Sequence, residues 1–142
     1  MLEVLRRRLA PLLLVGAGVG AYLAMGPKLP RDHDITLDLG GGAADITSIE
    51  LSWTPVGDNT SSTGEAALTT RWNFNKGTAP SRLNARVRLA DGRWQAEATI
   101  ERAGVPKTTH WSSQVNLVGT PWWKRDNLGD GPVVLPIREA FR

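Results

Sequence analysis

Phosphate binding is the first chemistry that the residue types here suggest. Between Leu37 and Leu51 the chain reads LDLGGGAADITSIEL, with Asp38 and Asp45 flanking Gly40, Gly41 and Gly42 between apolar runs. Glycines let a backbone approach a phosphate closely. The same glycines serve any tight turn that needs positive φ, so the elements around them decide the reading.

The stretch resembles the second phosphate-binding hairpin of the actin and heat-shock ATPase superfamily, in which a hydrophobic-Asp-hydrophobic run precedes three glycines, a Thr and a later Asp. Asp38, Gly40, Gly41, Gly42 and Asp45 match that pattern, and Ala43 departs from it. The resemblance implies two α/β subdomains closing over a nucleotide, with a first phosphate loop and an adenosine loop. A chain of 142 residues has room for one ordinary domain and carries neither loop. GGGAAD is therefore expected to be an interstrand loop with no helix after it, and no cofactor is expected.

Other chemistry is sparse. With zero cysteines there is no disulfide, thiol nucleophile or Cys-ligated metal site. The histidines are His33, in PRDHD, expected in a solvated linker, and His110, expected on the outward face of a strand beside Trp111. No nucleophile, base and orienting group converge in the sequence, so no catalytic residue is assigned and the chain is expected not to be an enzyme. Asp126, Asn127 and Asp130 lack the alternating oxygen ligands of a calcium loop and read as turn formers, so no metal site is assigned. Asn59-Thr60-Ser61 matches a glycosylation acceptor at the level of chance. The sequence pI is near 9.8, but past Pro27 there are 14 Lys plus Arg against 13 Asp plus Glu, which argues against nucleic-acid binding.

Six tryptophans are many for this length. Alternation points Trp53, Trp72, Trp94 and Trp111 inward. Trp122 and Trp123 are consecutive in GTPWWKRDNLGDGP, and adjacent residues cannot both face one core. With Lys124 and Arg125 they form the candidate contact surface for protein, sugar or headgroup. A hydrophobic plug sealing the domain is the competing reading. The expected division is Trp122 packed inward and Trp123 exposed.

The N-terminus reads as an address. Residues Leu9 to Gly26 are uncharged and follow Arg6-Arg7-Arg8. A helix of that length spans about 27 Å, close to a hydrocarbon core of roughly 30 Å. Pro11 is expected in its first turn and Tyr22 at its far interface. The arginines predict a cytoplasmic stub (1–8), a transmembrane anchor (9–26) in the inner membrane, a linker (27–33) and an exported domain (34–142), periplasmic or extracellular in a bacterial cell. A cleaved signal peptide and a secreted domain are the alternative, weakened by Pro27 after the best cleavage position. Gly16 and Gly20 have the spacing that lets two membrane helices pack, a candidate for helix-mediated dimerisation.

From Asp34 onward polarity alternates with period two. The inward sets are Ile35, Leu37 and Leu39; Ile49, Leu51 and Trp53; Leu68, Thr70, Trp72 and Phe74; Trp111, Ser113, Val115 and Leu117; and Val133, Leu135 and Ile137. Asp91-Gly92, between two alternating runs, predicts a hairpin in which Leu89 meets Trp94, Val87 meets Ala96, Ala85 meets Ala98 and Leu83 meets Ile100, with Arg86 opposite Glu97 and Arg82 opposite Glu101 on the outer face. The expected fold is mainly β: a single antiparallel seven-stranded β-sandwich, immunoglobulin- or transthyretin-like, after one transmembrane helix.

The run RVRLADGRWQAEATIE, with Leu89, Asp91, Gly92 and Trp94 at the matching positions, and the closing PVVLPI strand resemble carboxypeptidase regulatory-like and transthyretin-like sandwich domains. That resemblance implies a non-catalytic accessory or adhesion module outside the cytoplasm. The expected function is a membrane-anchored interaction or structural subunit of a cell-envelope complex, partnered by the bilayer and an envelope protein. The alternative is a carbohydrate-binding module that stacks sugars on exposed tryptophans.

Overall fold

The computed structural model describes residues 2–25, 29–57, 65–118 and 132–142, with the side chains of 10–25 but not of 2–9 in the N-terminal helix. That helix, α1, runs Leu2–Met25 and contains Pro11 in its interior. It therefore starts well before Leu9, and Pro11 lies beyond the first turn where it was expected. Among the described residues no helix is long and apolar enough to cross a membrane.

The rest is mainly β, in two sheets. The strands are β1 (Arg31–Asp38), β2 (Ile46–Pro55), β3 (Leu68–Asn73), β4 (Arg82–Leu89), β5 (Gly92–Arg102), β6 (Val105–Leu117) and β7 (Val133–Leu135). One sheet has the order β4-β1-β7 and the other β3-β2-β5-β6. Strand β1 starts at Arg31, so the last residues of the expected linker belong to the sheet.

A single buried cluster joins the two sheets: Ile35, Leu37, Val87, Leu89 and Leu135 from the three-stranded sheet, Ile49, Leu51, Trp53, Trp94, Ala96, Ala98, Ile100, Trp111 and Leu117 from the other. The alternation is thus correct about which side chains face inward. Trp72 and Phe74, at the β3 edge, are half-buried against the same core. Small residues on β5 offset the indoles beside them: Ala96 pairs with Trp53 on β2, and Ala98 with Trp111 on β6. The Trp53 side chain is fully buried, and its Nε1 has no hydrogen-bond partner among the described residues.

Pairing departs from expectation in two places. Strands β4 and β5 do not form a hairpin. β4 pairs with β1, from Arg31 opposite Leu89 to Asp38 opposite Arg82, while β5 lies between β2 and β6 in the other sheet. Ala90-Asp91 is a corner that carries the chain from one sheet to the other. Leu89 and Trp94 thus share the core from opposite layers, and Arg86 and Glu97 lie on opposite outer faces. The tight hairpin is β5–β6 instead, where Arg102 faces Val105 across Ala103-Gly104 and Gly104 takes φ 76°. The second departure is β7, which pairs with β1 in parallel, so the domain is not wholly antiparallel.

GGGAAD is the connection between β1 and β2, and within it Gly40–Asp45 forms a 3-10 helix. A second 3-10 helix, Ile137–Phe141, follows β7, so Ile137 belongs to this turn and not to the last strand; it is fully buried.

Candidate binding surface

The antiparallel register of β1 with β4 puts Asp32, Asp34, Thr36 and Asp38 opposite Arg88, Arg86, Asn84 and Arg82. Asp32 and Asp34 are exposed on the face turned away from the core, where neighbouring side chains alternate between faces, whereas Thr36 and Asp38 are buried. Arg86 Nε donates to Asp34 Oδ1 at 2.9 Å, with both side chains well exposed. That hydrogen bond, and then the charge of the same carboxylate, raise the Arg86 pKa above its ordinary value. Thr36 Oγ1 donates to Asn84 Oδ1 at 2.9 Å.

Beside this ladder lies an open groove of about 450 Å³, lined by Asp34, Thr36, Asn84, Arg86 and Pro132 among others. Its walls combine a carboxylate, a hydroxyl, an amide and a guanidinium, an inventory of both donors and acceptors. Thr36 is bonded to Asn84 and Arg86 to Asp34 within this set, and their remaining donors and acceptors face the groove.

At one end of the domain His33 is buried, not solvated. Its Nε2 lies 3.0 Å from the Leu89 carbonyl oxygen and 3.4 Å from Asp91 Oδ1. Both neighbours are acceptors, so Nε2 carries the hydrogen. Arg31 Nη1 is 3.5 Å from Asp91 Oδ2, and Trp94 Nε1 donates to the Ala90 carbonyl at 2.9 Å. Strand β1 and the first indole of β5 together hold the corner between the sheets.

The glycine segment is tied into the fold by its neighbours. The Gly40 amide lies 3.2 Å from both Asp38 Oδ1 and the Ser81 carbonyl, and Arg138 Nη1 lies 3.4 Å from Asp38 Oδ2. Gly40 has φ 66°, and a Cβ there would stand 3.1 Å from Arg138 Cβ. Arg102 spreads its guanidinium over the Phe141 ring, 5.0 Å from the centroid, and reaches toward Asp45 at 3.9 Å. Asp38 and Gly40 are thereby engaged with Arg138 and Ser81 of the protein itself.

Of the residues singled out from the sequence, Trp122, Trp123, Lys124 and Arg125 lie outside the described residues, as do Asp126, Asn127, Asp130 and Asn59. Gly16 and Gly20 lie on α1 with nothing within 4 Å of a Cβ built on either. His110 is exposed on β6, as expected, with Thr99 Oγ1 3.3 Å from Nδ1 and Thr108 Oγ1 3.2 Å from Nε2. No group of three or more potential metal ligands occurs among the described residues. The sequence places Arg86 on an outer face but does not show the groove, because the expected hairpin pairs its strand with β5. The alternating acids of β1, DHDITLD, are the signal for the true partner of that strand.

No family model, curated protein or solved structure matches this chain.

Proposed function

We propose that this chain is a membrane-anchored, non-catalytic interaction module: α1 holds it at a bilayer, and an immunoglobulin- or transthyretin-like sandwich binds an envelope partner. One observation carries the reading. Along α1, Leu12, Leu13, Leu14, Val15, Val19, Tyr22, Leu23 and Met25 are all exposed, while the sheets enclose a core of their own. A contiguous apolar surface of this kind marks a lipid or protein contact. Arg6 to Arg8 put the N-terminus on the cytoplasmic side. The dispersal of reactive groups supports binding over catalysis, since His33 is committed to a corner of the fold and His110 lies on the other sheet.

The test combines topology with capture. Alkaline phosphatase fused after Arg142 is expected to be active, and pull-down from gently solubilised membranes is expected to return an envelope protein. A silent fusion refutes the topology. Replacing Trp123, the ring expected to be exposed, by Ser is expected to abolish capture while leaving the fold intact.

The groove favours a second reading, a carbohydrate-binding module. Asp34, Asn84 and Arg86 offer the side-chain types that hydrogen-bond sugar hydroxyls. Glycan-array binding lost in Asn84→Ala supports this reading, and an array with no binder rejects it.

A further inference from the structure

Each sheet ends in two edges, and a strand edge is a row of backbone donors and acceptors ready to pair with another strand unless something blunts it. Among the described residues, three of the four are blunted. β4 carries Arg82, Arg86 and Arg88 on its outer face; β3 has only six residues and carries Arg71; β7 has three residues. The remaining edge, β6, is the longest strand at 13 residues. Pro106 and Lys107 guard its start, but TTHWSSQVNL, from Thr108 to Leu117, contains no Asp, Glu, Lys or Arg. Among the described residues β6 pairs with β5 alone.

The inward row at this edge is also incompletely covered. Thr109, Ser113 and Val115 stay half-buried, whereas Ile100, Ala96 and Trp94, their register partners on β5, are buried. A strand added beside β6 would cover them.

We propose that β6 is a homodimer interface, through which two copies of this chain pair edge to edge as antiparallel strands and continue the four-stranded sheet across a two-fold axis at Ser112. A second copy suits this edge because an uncharged strand meets its own image without like-charge repulsion, which the arginines of β4 would suffer. In antiparallel pairs, directly opposite side chains share a face, so a two-fold must pass through a residue. With the axis at Ser112, Trp111 meets Ser113 of the second copy, Thr109 meets Val115, and His110 meets Gln114. The bulky indole therefore meets a small side chain. This interface is independent of the glycine spacing on α1.

The chain has no cysteine, which makes cross-linking clean. Ser112→Cys in the full chain, in mild detergent under a weak oxidant, is expected to run mainly as a disulfide-linked dimer. Thr69→Cys, on the β3 edge, is expected to stay monomeric. A mixture of Ser112→Cys with Gln114→Cys tests an axis one residue along. His110→Lys with Gln114→Lys, which charges the edge, is expected to abolish Ser112→Cys cross-linking while circular dichroism stays unchanged. Monomer in both cysteine experiments overturns the proposal. So does cross-linking that survives the lysines but disappears with Gly16→Leu and Gly20→Leu, because association would then run through α1.

Discussion

His33 donates from Nε2 to the carbonyl oxygen of Leu89, 3.0 Å away and 56 residues later in the chain. The bond ties β1 to the last residue of β4, where the chain turns from one sheet to the other. His33→Leu removes the donor and strands a buried carbonyl, which costs about 1–3 kcal/mol. His33→Gln restores a donor and is expected to recover part of the loss. Urea unfolding followed by tryptophan fluorescence measures both, and equal stability of His33→Leu and the parent would show that the bond contributes nothing.

The sheet assignment of β4 can be read by disulfide trapping. Thr36 and Asn84 are direct register partners, and paired residues in antiparallel strands have Cα separations within disulfide range. A Thr36→Cys, Asn84→Cys chain should oxidise readily within one molecule. Arg86→Cys with Glu97→Cys should not, because packed sheets stand roughly 10 Å apart and these positions lie on opposite outer faces. The reverse result would reinstate the hairpin.

Gly40 and Gly41 should respond differently to Ala. At Gly40 the new methyl group meets a positive φ and the Arg138 side chain at once, while at Gly41 nothing lies within 4 Å. Gly40→Ala is expected to cost about 1–2 kcal/mol and Gly41→Ala close to nothing. ATP with magnesium is expected to leave the melting temperature of either variant, and of the parent, unmoved. A saturable rise with nucleotide would revive the phosphate-loop reading.

Ile137, fully buried, anchors the C-terminal 3-10 helix. Truncation to Ala should cost about 2–4 kcal/mol through lost transfer energy and the cavity left behind, a large share of a typical domain's stability. Thermal melts of Ile137→Ala beside Arg138→Ala check this, with the exposed arginine expected to matter far less.

Side-chain facing was legible in the sequence, because alternation is a property of each strand alone: Ile35, Leu51, Trp94 and Trp111 are inward as their spacing requires. The exposure of His110 followed from the same count. Strand partners were not legible. Leu89 and Trp94 flank Asp91-Gly92 and both face the core whether the chain folds back within one sheet or crosses to the other, so the pattern is identical for a hairpin and a corner. Only tertiary competition separates them: β1 supplies Asp32 and Asp34 opposite Arg88 and Arg86, and β5 is taken by β2 and β6. The parallel β1–β7 pair, the burial of His33 and the groove at Asn84 follow from that same choice. Each joins residues distant in sequence, and a long-range pairing depends on which strand wins each edge, a competition that no single segment records.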